Sequence, residues 1–139
     1  MIADDSVLLR EGLARVLTEG GFEVVAQAAN ADELRQVVRR YKPDVAIVDV
    51  RMPPTHTDEG ARAAVEIRAQ QPEVGVLVLS QVIEAAHALQ LFSERPEGFG
   101  YLLKDRVLEI DGFLESVRRV GRGETAVDPE VVSQLMGRR

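Results

Sequence analysis

Apolar and polar positions along this chain follow two rhythms. Short, nearly unbroken apolar runs fall at residues 22–28 (FEVVAQA), 45–48 (VAIV), 74–79 (VGVLVL) and 101–103 (YLL), each of strand length. Between them the apolar positions return with helical spacing. Leu9, Leu13, Val16 and Leu17 share one face of a first helix. Leu34, Val37, Val38 and Tyr41 repeat the i, i+3, i+4, i+7 pattern in a second. Residues 60–71 and 84–94 form weaker, Ala-rich helical stretches, and Ile110, Phe113, Leu114 and Val117 mark a fifth helix.

The punctuation agrees with these elements. Gly20-Gly21 closes the first helix, and Asn30 with Glu33 has the form of a capping pair at the start of the second. Lys42-Pro43 ends that helix, because the residue before a proline is driven out of the helical region. Asp128-Pro129 supplies an N-cap with proline at the first helical position. It predicts a last short helix with Val131, Val132, Leu135 and Met136 on its apolar side, set off by the GRGE of residues 121–124.

Strand and helix alternating in this way predict an α/β fold, a doubly wound five-stranded parallel sheet with helices on both faces. Residues 45–48 and 74–79 are apolar at consecutive positions, as central parallel strands covered on both sides require. Residues 22–28 alternate more and belong toward an edge. The first strand has only Met1-Ile2-Ala3 before an acidic pair, as though a few residues precede it.

Composition narrows the field. The 139 residues suit one domain, and 45% hydrophobic residues suffice for a core of Val, Leu, Ile and Ala, since aromatics are 4% and Trp is absent. With no Cys there is neither a disulfide framework nor a thiolate metal site, which suits a cytoplasmic setting. The net charge of −6 is wrong for a domain that grips nucleic acid unaided. No apolar run approaches the ~18 residues of a membrane span, and no secretory signal opens the chain.

The chemistry gathers at strand ends. Ligands of open parallel sheets bind beyond the carboxyl ends, where strand order reverses. In the flavodoxin-like order 2-1-3-4-5 that point lies between strands 1 and 3. Asp4-Asp5 ends the first and Asp49 the third, so three carboxylates meet there, with Ser80 and Lys104 on the same rim from strands 4 and 5. Three anions together raise one another's pKa unless cations compensate. Lys104 supplies one charge, and an oxygen-only donor set suits Mg²⁺ for the rest. A carboxylate nucleophile, a metal, an ammonium and a hydroxyl compose a phosphoryl-transfer site.

The set Asp4-Asp5, Asp49, Met52-Pro53, Ser80 and Lys104 resembles the receiver domain of bacterial two-component response regulators. The phrases IADDSVLLREGL, VDVRMP and GYLLKD resemble the NarL/LuxR-type group, whose members usually carry a C-terminal helix-turn-helix. The resemblance covers residues 1–121 and implies that 122–139 begin a linker and helix toward a DNA-binding output domain absent here. It implies a switch rather than an enzyme, phosphorylated on Asp49 by a sensor histidine kinase. Asp5, with Asp4 beside it, Asp49 and the backbone carbonyl of Arg51 would hold Mg²⁺. Lys104 and Ser80 would bind the phosphoryl group, and Tyr101 would turn inward as Ser80 moves. The face built by residues 84–94, 101–103 and 110–117 would then change shape. The Lys104–Asp105 peptide bond would be cis. Pairing of two copies on activation is expected, with DNA reached only through the output domain and no membrane contact.

Two features depart from the common pattern. The loop 53–60 (PPTHTDEG) is longer than usual, and Gln81 stands after Ser80 where a small residue is common. His56 and His87 have no ligand partner at metal spacing and are expected to be isolated and exposed. Arg118, Arg119 and Arg122 form a basic patch suited to solvent or to acidic residues of a second copy. Two other functions compete. A Mg²⁺-dependent aspartyl phosphatase of the haloacid-dehalogenase kind needs a second Asp two residues after the nucleophile, and Arg51 stands there. A phosphorylation-independent interaction domain would not need the acid pocket.

Overall fold

A computed structural model of the chain describes residues 1–82 and 97–136, with side chains through Ser133. The expected helix at 84–94, His87, and the side chains of Leu135 and Met136 lie outside the described residues. Among the described residues six parallel strands form one sheet in the order β2-β1-β3-β4-β5-β6. They are β1 (Ile2–Ala3), β2 (Gln27–Ala28), β3 (Val45–Asp49), β4 (Gly75–Ser80), β5 (Phe99–Leu103) and β6 (Ala126–Val127). The first five reproduce the expected 2-1-3-4-5 arrangement.

The period of two along the central strands divides the core into two layers. Ala46 and Val48 of β3 and Val76 and Val78 of β4 face one side. There they meet Leu34 and Val38 of α2 (Ala31–Tyr41) and Ala63, Ala64 and Ile67 of α3 (Glu59–Gln70). Ile47, Leu77 and Leu79 face the other, against Leu13 and Leu17 of α1 (Val7–Glu19) and Phe113 and Val117 of α4 (Ile110–Gly121). The helices form where the punctuation places them. Asn30 Oδ1 accepts from Glu33 N at 2.8 Å and so caps α2, and Glu33 Oε1 accepts from Ala29 N, one residue before the cap, at 2.8 Å. Lys42 stops α2 in the left-handed region, with φ 45°.

The structure differs from the sequence reading at both edges. Of residues 22–28 only Gln27–Ala28 pair, because their partner β1 is itself two residues long and the ladder ends with it. At the other edge the segment expected to be a linker adds a strand. Gly100 pairs with Ala126 and Tyr101 with Val127. Helix α5 (Pro129–Met136) follows and sinks Val131 into the first core layer. The Lys104–Asp105 bond is not cis. Among the described residues the cis bond is Pro53–Pro54, where the tertiary amide removes most of the preference for trans.

Candidate functional site

The sheet register brings the acidic residues together. Ala3 pairs with Val48, so the next residues of the two strands, Asp4 and Asp49, emerge side by side at the carboxyl edge. One oxygen from each of Asp4, Asp5 and Asp49 lies within 4.8 Å of the others. Asp4 and Asp49 are 1% and 5% exposed, and Asp5 faces solvent. Lys104 leaves the end of β5 and sets its Nζ 3.3 Å from Asp4 Oδ2 and 3.3 Å from Asp49 Oδ2.

Local bonds fix these side chains. Asp4 Oδ1 accepts from Ser6 N at 2.8 Å, which turns the chain into α1, where Ser6 caps the helix through Leu9 N. Arg10, one turn along, reaches back to the Asp4 carbonyl at 2.7 Å and to Gln27 Oε1 at 3.1 Å. It ties α1 to the strand end and to β2. Arg51 N donates to Asp49 Oδ1 at 3.4 Å. Behind Asp49 the first turn of α3 comes so close that a Cβ on Gly60 would sit 1.7 Å from the Asp49 carbonyl oxygen. Only glycine permits that approach.

Desolvation by burial, then the charge of Asp4, raises the Asp49 pKa from 3.8 to about 6 against the pull of Lys104. For Lys104 burial works downward, but Asp49 and Asp4 outweigh it and the net shift is upward. Three carboxylates and one ammonium leave a formal charge of −2 when all are ionised. Asp4 Oδ2 is buried without a well-aligned hydrogen bond, so lone pairs in the pocket remain unfilled. Carboxylate oxygens, an excess of negative charge and an unfilled acceptor fit a divalent cation of the Mg²⁺ type.

Ser80, 2% exposed at the end of β4, donates its hydroxyl to the Val82 carbonyl. Tyr101 is wholly buried and tilted against Phe99, with ring centroids 6.5 Å apart. Arg51 is exposed on the rim.

Several contacts had no signal at the level of sequence. His56, expected to be isolated, places Nε2 2.9 Å from Asp5 Oδ2, and Glu59 is buried at the start of α3. Arg106, two residues beyond Lys104, makes two bonds to the buried Asp128, at 2.8 and 3.1 Å. Asp128 also accepts from Leu103 N and Glu130 N. Burial opposes its ionisation, but these donors, Arg106 foremost, hold its pKa below the usual carboxylate value. The basic patch of α4 is paired within the chain, Arg118 and Arg122 with Glu115, and Arg119 and Arg122 with Glu124.

This parallel sheet, with a carboxylate triad and a lysine at its switch point, defines a doubly wound α/β domain with an acidic pocket at the carboxyl edge. The response regulator receiver domain family matches residues 1–117, and the chain belongs to it. Among relatives, the transcriptional regulatory protein DegU of Brevibacillus brevis is 33% identical over 98% of this chain. The oxygen regulatory protein NreC of Staphylococcus aureus is 34% identical over the same share. The chain spans 55% and 60% of those two proteins' own lengths. A LuxR-family two-component response regulator from an Aurantimonas species superposes with a TM-score of 0.84 at 25% identity, covering 99% of this chain and 94% of that one. The receiver domain of the NarL response regulator from Mycobacterium tuberculosis gives 0.73 at 30% identity, covering 88% and 94%. The chain is thus a receiver of the NarL/LuxR type. No helix among the described residues is long and apolar enough to cross a membrane.

Proposed function

We propose that the chain is a phosphorylation-dependent switch whose acceptor is Asp49. The observation that carries this is the convergence of Asp4, Asp5 and Asp49 at one strand rim, with Lys104 in salt-bridge reach of Asp4 and Asp49. A carboxylate oxygen of Asp49 attacks the phosphorus of a phosphohistidine on a sensor kinase. The new O–P bond makes an acyl phosphate, the P–N bond breaks, and the leaving imidazole takes up a proton. Bound Mg²⁺ supplies charge neutralisation for the phosphoryl oxygens. Asp5, Asp4, Asp49 and the Arg51 carbonyl are the groups that would hold it.

Lys104 is the cation that follows the charge. It bridges Asp4 and Asp49 before transfer and pairs with phosphoryl oxygens after it, when the phosphorylated side chain carries roughly −1.5 to −2 charge in place of the carboxylate's −1. Ser80 exchanges its bond to the Val82 carbonyl for a charged acceptor, the stronger kind of hydrogen bond. The buried position of Tyr101 is the one that this relay assigns to the activated conformer. Phosphorylation shifts the population between two conformers that exist beforehand.

In this reading residues 1–121 hold the switch, and 122–139, which include β6 and α5, lead toward an output domain. That domain would control transcription, as the name of the Brevibacillus relative states for that protein. Two activated copies would pair, in the cytoplasm, and DNA would be reached only through the output domain.

Incubation with MgCl₂ and acetyl phosphate, followed by intact mass measurement, tests the proposal. The chain gains one phosphoryl group and the Asp49→Asn variant gains none. An unmodified wild-type chain, or a variant modified as fully, refutes Asp49 as acceptor. Continuous release of phosphate from external phosphoesters would mark a phosphatase instead.

A further inference from the structure

The loop 53–60 is longer than receivers commonly have, and the extra length is built rather than slack. The buried carboxylate of Glu59 accepts from Thr55 N at 2.8 Å, from the Thr55 hydroxyl, and from Thr57 N at 3.1 Å. These bonds, the Thr55 hydroxyl first, hold the Glu59 pKa down at about 2. Thr55 and Thr57 flank His56. The His56 N–H donates to the Met52 carbonyl at 3.0 Å, and its backbone takes a positive φ of 56°, uncommon outside glycine. Residue 56 is therefore pinned on both sides and from behind.

Its side chain reaches across the chain to Asp5, Nε2 to Oδ2 at 2.9 Å. An ionised carboxylate only accepts, so Nε2 carries the proton. Asp4 is held by Ser6 N and Lys104, and Asp49 by Arg51 N and Lys104. Asp5 is the exposed member of the three, and among the described residues His56 is its one hydrogen-bond partner.

We propose that loop 53–60 is a positioning device in which His56 holds the Asp5 carboxylate at the acid pocket and so sets the pocket's affinity for its divalent cation. This rests on Asp4, Asp5 and Asp49 forming the cation site. His56 is a positioning residue: it acts through Asp5, whose other oxygen stays free for a cation. Metal-binding carboxylates depend on such outer hydrogen bonds, whose loss typically weakens metal binding 10–100-fold. Glu59 acts one step further out, by keeping Thr55 and Thr57 in place.

The test is a MgCl₂ titration of the ¹⁵N-labelled 139-residue chain, following the amides around Asp4, Asp5 and Asp49, with urea midpoints measured in parallel. His56→Ala raises the Mg²⁺ dissociation constant by about 10-fold and leaves the urea midpoint of this half-exposed position in place. His56→Gln puts an N–H donor near the position of Nε2 and restores most of the affinity. The Glu59→Gln variant is weakened as well, and adding His56→Ala to it causes no further loss, as expected for two residues in one chain of contacts. Wild-type affinity in His56→Ala, or a His56→Gln variant as weak as His56→Ala, overturns the positioning role while leaving the cation site standing. A wild-type chain with no saturable Mg²⁺ response near Asp4, Asp5 and Asp49 overturns the site itself.

Discussion

Asp49→Asn stabilises the metal-free protein. The folded chain holds the Asp49 pKa at about 6, against 3.8 for an unperturbed carboxyl, through burial and the neighbouring charge of Asp4. Below pH ~4 the carboxyl is protonated whether folded or unfolded, and it contributes no pH dependence. Between pH ~4 and ~6 the unfolded chain releases the proton while the folded chain retains it, so stability falls as pH rises. Above pH ~6 the loss is complete. A shift of about two units corresponds to about 3 kcal/mol, at 1.36 kcal/mol per unit. An amide carries no charge and escapes this penalty. In urea at pH 7.5 with EDTA, the variant's midpoint should rise by about 1–3 M, given m-values of about 1–3 kcal/mol/M. At pH 4 the two midpoints should converge. Mg²⁺ should close the gap at pH 7.5 from the other side, since the cation favours ionised Asp49 and stabilises wild type alone. A variant no more stable than wild type in EDTA at pH 7.5 would refute the electrostatic account of the pocket, as would a gap that does not change between pH 4 and 7.5.

Other substitutions test the supports. Gly60→Ala pushes a methyl into the Asp49 carbonyl and should destabilise by about 3 kcal/mol or more while lowering phosphorylation from acetyl phosphate. Both are measured on one sample by thermal unfolding and intact mass. Arg106→Ala leaves the buried Asp128 carboxylate without its cation and should lower the thermal midpoint, with faster amide exchange confined first to residues 126–136. Because the folded pKa of Asp128 is depressed, the stability it contributes is present above pH ~4 and fades as pH falls through the folded value. The wild-type and Asp128→Asn urea midpoints should therefore approach each other in strong acid. Ser80→Ala should still accept a phosphoryl group on Asp49 but show smaller shifts at the Tyr101 amide on phosphorylation, read in ¹⁵N spectra.

Much of the site was legible because it is written at strand ends. A period of two with both faces apolar identifies β3 and β4 wherever they pack, and the residue that follows each run must leave the sheet at its carboxyl edge. Asp4, Asp49, Ser80 and Lys104 were placed on one rim by that logic, and the structure sets Lys104 3.3 Å from both Asp4 and Asp49. The expected cis bond at Lys104–Asp105 came from resemblance alone, and the chain does not show it.

The sequence by itself determined which faces are apolar, where helices are capped and which residue types stand at each strand end. These are properties of neighbours along the chain, and burial and capping impose them locally. Only the tertiary structure decided which distant groups touch. His56 meets Asp5 across 51 positions, and Arg106 meets Asp128 across 22. Such contacts depend on a loop's backbone path and on the packing of one element against another, and no local period encodes either. The same holds for β6. Two residues with no strand pattern of their own became a strand because β5 offered them an open edge.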